Sequence, residues 1–220
     1  MADLIIKYPD KTYIIEIFNE ENIDWKRIEA YNKDAKIILA THNLNISDKI
    51  KSFNFYYAYP ITNWYDLQII SRLNPCYVLL GAPLYFDLEK YKKYFNIPVR
   101  LIANRASWDI TKKQDDILVK GPYIRPEDIE FYEKYVESIE FISDNLTQEA
   151  TFLKIYQEDR RWPGNIRLLI TDLPISLNNS MIPPKFAETR SKCGQRCMMN
   201  GHCNYCPALF KLIRTIEDTE

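Results

Sequence analysis

The sequence lacks any hydrophobic run long enough to cross a bilayer, which excludes a membrane-spanning helix of about 20 apolar residues. Its opening segment, MADLIIKYPDKTYIIEIF, alternates apolar and polar residues and has no continuous apolar stretch of the signal-peptide kind. A soluble, cytoplasmic protein is therefore expected, with no membrane partner. An excess of one charge is missing as well. Lysine and arginine number 29 against 30 aspartate and glutamate, a formal net charge of -1, so no global field draws the chain to nucleic acid or an anionic surface. Gly81-Ala82-Pro83 is no phosphate loop, because Pro83 has no amide to donate and no Gly-Lys-Ser/Thr follows. That argues against nucleotide hydrolysis. Neither an internal repeat nor a low-complexity tract is visible.

What is present is the composition of an ordinary globular protein, 46% hydrophobic and 27% charged. Its 220 residues suffice for one large domain with a small appendage. Leu4–Tyr8 and Thr12–Phe18 read as a hairpin around Pro9-Asp10-Lys11. Short β-rich runs then recur at Lys36–Ala40, Phe53–Tyr57, Tyr77–Leu80, Val99–Ala103, Ile139–Ile142 and Arg167–Ile170. Between them lie segments of helical period. Asn63–Leu73 places Trp64, Leu67 and Ile70 on one face, and Asp87–Phe95 does the same with Leu88, Tyr91 and Phe95. Pro126 followed by Glu127 and Asp128 suits a first helical turn that brings Ile129, Tyr132 and Val136 to the core. Asn145 with Gln148 resembles a cap for a helix through Tyr156, and Trp162-Pro163-Gly164 would end it. The alternation predicts an α/β fold of parallel βα units, partly or fully barrel-like. Prolines and asparagines from Pro174 to Pro184 mark a boundary, giving an α/β body over residues 1–173 and a loop-rich C-terminal segment over 174–220.

Four of the five cysteines, Cys193, Cys197, Cys203 and Cys206, fall within that segment as Cys-x3-Cys, a five-residue turn and Cys-x2-Cys. Thiolates at such spacings converge on one ion while the chain between them turns tightly, and Asn200-Gly201 supplies a turn. A metal knot of these four ligands is expected. Zinc would hold it and contribute folding energy to a segment poor in apolar residues. The alternative is a 4Fe-4S cluster, which takes the same four thiolates. His202 stands ready to replace one ligand or to donate to a thiolate. Cys76, just before an apolar strand, reads as a small core residue.

The order of a βα-rich body, Gly81-Ala82-Pro83-Leu84 after a strand, the strand Ile97–Asn104 and a later Cys193-Gly-Gln-Arg-Cys197 resembles the peptidase U32 family over residues 50 to 206. The resemblance implies a barrel-like body. For several members it also implies a four-cysteine iron–sulfur cluster and a part in RNA or quinone hydroxylation.

Working residues in parallel α/β proteins gather at the carboxyl ends of strands. Thr41, His42 and Asn43 follow one strand, and Asn104, Arg105, Trp108 and Asp109 follow another. His42 is the candidate acid or base, Arg105 an anion clamp and Asp109 its carboxylate partner. The plainer reading makes both groups turn and capping residues. Arg160, Arg161 and Trp162, with Lys185, Arg190, Lys192 and Arg196 around the cysteines, offer phosphate contact and base stacking or simply a solvated surface. Sixteen tyrosines offer partner contacts. The function expected from these features is that of a metal-stabilised α/β binding or assembly protein with a U32-like body, no hydrolase motif and a protein partner. Two alternatives stand beside it: an iron–sulfur enzyme acting on RNA or a small molecule, and a nucleic-acid-binding module built on the basic residues.

Overall fold

The computed structural model describes residues 5–7, 12–81, 84–104, 123–141, 146–158, 162–170, 175–193 and 204–214. The chain forms two compact units. The first comprises Met1–Leu79 and Phe95–Val99, the second Leu80–Tyr94 and Arg100–Glu220.

In the first unit β1 (Ile5–Lys7) pairs antiparallel with β2 (Thr12–Ile17), Ile6 opposite Ile14. Residues 8–11, the expected turn, lie outside the described residues. From β2 onward the pairing is parallel. Ile15 lies opposite Leu39 of β3 (Lys36–Thr41), and Leu39 opposite Phe55 of β4 (Asn54–Ile61). Next comes β5 (Tyr77–Leu80), joined to β4 by the Cys76 N–H donating to the Phe55 carbonyl at 2.8 Å. Val78 donates to the Pro98 carbonyl at 3.0 Å, just before β6 (Val99–Ile102).

The helices of the first three parallel crossovers each begin with a side-chain cap, which satisfies an amide that the helix itself leaves without a partner. Asp24 caps α1 (Trp25–Tyr31), Ser47 caps α2 (Asp48–Lys51) and Asn63 caps α3 (Trp64–Arg72), whose Asp66 amide donates to Asn63 Oδ1 at 2.9 Å. The isoleucine-rich strands are apolar on both faces, as strands buried on both sides are. Ile15, Ile17, Ile37, Leu39 and Phe55 pack with Ile28 of α1 and Ile50 of α2. Ile14, Ile38, Ala40, Tyr77 and Leu79 form a second cluster, against which the half-buried Cys76 packs. Alternation of side chains along each strand produces this division.

The second unit contains a 3₁₀ turn at Leu84–Phe86, α4 (Leu88–Tyr94), a 3₁₀ turn at Pro126–Asp128, α5 (Ile129–Tyr132) and β7 (Ser138–Glu140), which pairs parallel with β6, Leu101 opposite Ile139. Then follow α6 (Leu146–Glu158), α7 (Phe186–Cys193) and α8 (Tyr205–Ile213). Phe152, Tyr156, Ile166, Leu169, Leu177, Phe186, Leu209, Phe210 and Ile213 belong to one core cluster. Each such side chain, fully buried, contributes about 1.5–3 kcal/mol.

One expectation needs correction. The strand expected at Arg167–Ile170 is instead a 3₁₀ turn at Ile166–Leu168. Asn165 Oδ1 accepts the amides of Arg167 at 2.9 Å and Leu177 at 3.0 Å, so two backbone donors turn to a side chain. Short apolar runs carry too few residues to separate the two periods. The C-terminal segment carries α7 and α8. Pro183 and Pro184 precede α7 rather than interrupt it. Cys206, Leu209, Phe210 and Ile213 stand at the i, i+3, i+4, i+7 spacing of a helix face, and all four are buried.

Candidate functional site

Parallel strands offer ligands the crevice beyond their carboxyl ends. Register brings two polar residues to that edge of the first unit. Glu16 lies opposite Ala40 and Ile17 opposite Thr41, so His42, one residue past β3, reaches the end of β2. Its amide lies 3.4 Å from the Ile17 carbonyl. Glu16 and His42 continue the alternation of Ile14 and Ala40, which share a cluster, and so emerge on one face.

There the Glu16 carboxylate Oε1 lies 2.6 Å from His42 Nε2. Phe18 stacks on the imidazole at 4.4 Å and 13°, and Tyr59 meets it edge-on at 4.7 Å. Tyr57 packs against Tyr59 at 5.9 Å. Burial raises the Tyr57 phenol pKa, and the nearby Asp66 charge adds to the effect. The histidine side chain is only 14% exposed, whereas Phe18 is 59% and Tyr59 47% exposed. An ionised carboxylate only accepts, so Nε2 carries the proton that faces Glu16. Nδ1 is buried and has no hydrogen-bond partner. The arrangement can hold a proton on the ring beside a carboxylate. It also presents two exposed aromatic rings next to a negative charge.

Of the residues proposed from sequence, His42 stands at a strand end as expected. Arg105 and Asp109 lie outside the described residues, as does Trp108. Thr41 and Asn43 act as turn residues: the Asn43 amide donates to Thr41 Oγ1 at 3.2 Å and the Asn45 amide to Asn43 Oδ1 at 2.9 Å. Asn104 is buried and bridges to Tyr123. Sequence reasoning missed Glu16, Phe18 and Tyr59. The parity of Glu16 along β2 was the available signal, but it became usable only once β2 was known to lie beside β3 in this register.

Cys193 is the last residue of α7 and half-buried; Cys206, the second residue of α8, is 9% exposed and packs in the core. Neither is in a disulfide. Cys197, Cys203 and His202 lie outside the described residues. Among the described residues no three His, Cys, Asp or Glu side chains are placed to hold a metal ion. Of the basic residues near the cysteines, Arg190 is buried with its guanidinium 3.7 Å over the Phe86 ring, and Lys192 pairs with Glu188 at 2.5 Å. Arg160, Arg161 and Arg196 lie outside the described residues. Among the described residues no helix is long and apolar enough to cross a membrane. The chain matches no protein-family model, no curated protein and no solved structure.

Proposed function

We propose that this chain is a protein-binding module whose first unit receives a basic side chain of a partner protein on the exposed rings of Phe18 and Tyr59, beside Glu16 and His42. The observation that carries the reading is the pair of exposed aromatic rings packed on the imidazole whose Nε2 meets a partly exposed carboxylate. Aromatic faces attract cations, by about 0.5–1 kcal/mol at exposed sites. Tyrosine and phenylalanine are also enriched where proteins meet. The Glu16 charge favours lysine or arginine and repels the phosphates of a nucleic acid.

In the same proposal Cys193, Cys197, Cys203 and Cys206 hold a zinc ion that fastens the C-terminal segment. The residues present suit such a group, since Cys193 closes α7, Cys206 opens α8 and the other two cysteines lie in the connection between them. Four thiolates would take zinc tetrahedrally. An iron–sulfur cluster on these thiolates would instead favour the U32-like enzyme.

The chain has two histidines, His42 and His202, so the ring-proton NMR signals report on the site with little overlap. Titration with Gly-Arg-Gly amide is expected to move the His42 signal to saturation. Glu16→Gln and Phe18→Ala should each weaken binding by about threefold to tenfold. An equal response to Gly-Glu-Gly amide, or wild-type affinity in both variants, would overturn the reading.

A further inference from the structure

The second unit contains a cavity of about 410 Å³ whose walls come from the start of α4, the Pro126–Asp128 turn, α5 and α7. Its charged lining is mixed. Asp87, Glu89, Glu127, Asp128, Glu130 and Glu188 share it with Lys134, Lys185 and Lys192, beside the rings of Phe86, Phe131 and Tyr135.

Several of these charges are already matched within the protein. Arg125 grips Asp128 through Nε at 2.6 Å and a terminal nitrogen at 2.9 Å, Lys192 holds Glu188 at 2.5 Å, and Lys90 lies 3.8 Å from Asp87. Glu127 is different. Its Oε1 accepts from Asn179 Nδ2 at 2.7 Å and lies 3.1 Å from an Arg125 nitrogen, so the carboxylate is held in one orientation. Its Oε2 is buried and has no hydrogen-bond partner. Burial raises the Glu127 pKa despite the opposing Arg125 charge, which marks a carboxylate still short of positive neighbours. Among the described residues Lys134 and Lys185 form no ion pair, and both lie near enough to lower the Glu188 pKa.

We propose that this cavity binds a small zwitterion of the free amino acid class, its ammonium on Glu127 and its carboxylate between Lys134 and Lys185. A lone cation would bring Glu127 a partner but meet the two lysines. A lone anion would satisfy the lysines but face Glu89, Glu127 and Glu130. One ligand carrying both charges answers both sets, its ammonium meeting the Glu127 carboxylate in a charge-assisted contact. The volume lies toward the small end of ligand pockets, which suits a compound of this size, and the rings of Phe131 and Tyr135 offer apolar surface to its side chain. The proposal is independent of the site in the first unit.

Calorimetric titration of the full chain with L-alanine, L-leucine and L-phenylalanine tests it, with acetate and methylammonium as probes of one charge. At least one amino acid is expected to bind saturably with Kd of about 1 mM or tighter, and both single-charge probes at least about tenfold more weakly. Glu127→Gln should reduce the amino acid's affinity about tenfold. Should that buried substitution unfold the protein, the exposed Lys134→Ala is expected to show a loss of similar size. Absence of saturable binding by all three amino acids, equal binding of acetate or methylammonium, or wild-type affinity in Lys134→Ala would overturn the proposal.

Discussion

Arg125 is 1% exposed, and its charge is tolerable because acceptors crowd the guanidinium, Asp128 at 2.6 and 2.9 Å, the Glu127 carboxylate at 3.1 Å and the Pro183 carbonyl at 3.3 Å, although Nη1 makes no hydrogen bond. Removing one member of a buried pair leaves the other desolvated, so Asp128→Ala should destabilise the protein by about 3–5 kcal/mol. Urea unfolding followed by circular dichroism measures this, and a loss under about 1 kcal/mol would show that Glu127 alone suffices to compensate Arg125. From sequence, Asp128 is merely an acidic residue in a first helical turn. Its partnership with Arg125 is local, but the other groups around it come from afar: Asp128 also faces the Ala187 amide at 3.4 Å across 59 positions, and Arg125 reaches Pro183 across 58. His42 repeats the lesson. Its place at a strand end was legible, whereas Glu16, 26 positions away, became its partner through register alone.

At the scale of elements, start signals were the most readable features. Asn63 caps α3 where its side chain meets the Asp66 amide, and Pro126 opens a 3₁₀ turn that leads into α5. Both depend on residues within four positions of one another, and such chemistry survives in a linear reading. The segment around Ile166 failed for a matching reason, because its conformation follows from Asn165 accepting an amide from Leu177. The connection between α7 and α8 carries the second prediction. Metal analysis with visible absorption on protein purified without oxygen should find one zinc per chain in a colourless sample, and Cys193→Ala should release it and hasten proteolysis after α7. A brown sample containing iron and sulfide would move the assignment to a cluster. No metal, or metal and protease resistance unchanged by the substitution, would remove the knot.

At the scale of the whole molecule, buried phenols set the behaviour in alkali. Burial raises the pKa of Tyr85, Tyr91, Tyr132 and Tyr156, and pushes Tyr123 up to about 12 against the opposing charges of Arg190 and Arg125. A raised tyrosine pKa favours the folded state fully below the unfolded value, here 10.0, and that contribution is lost as pH rises toward the folded one, about 12 for Tyr123. Stability should therefore hold up to pH 10.0 and fall steadily between there and 12. Tyrosinate absorbance should lag behind the count of sixteen tyrosines until the protein unfolds. A urea midpoint that stays level across this interval would contradict the buried placement of these rings.

The amino-acid sequence by itself determined the α/β character, six of the seven strands to within a residue or two, the helix over Asn63–Leu73 and the position of His42 at a strand end. These follow from periodicity, turn chemistry and short-range hydrogen bonds, all of which act between neighbours in the chain. Only the tertiary structure decided that Glu16 would meet His42, that Arg125, Glu127, Asp128 and Asn179 would converge, and that a cavity of mixed charge would open beside them. Such groups are assembled by the register of strands and the packing of helices, so the relations that define them join positions tens of residues apart and leave no local trace.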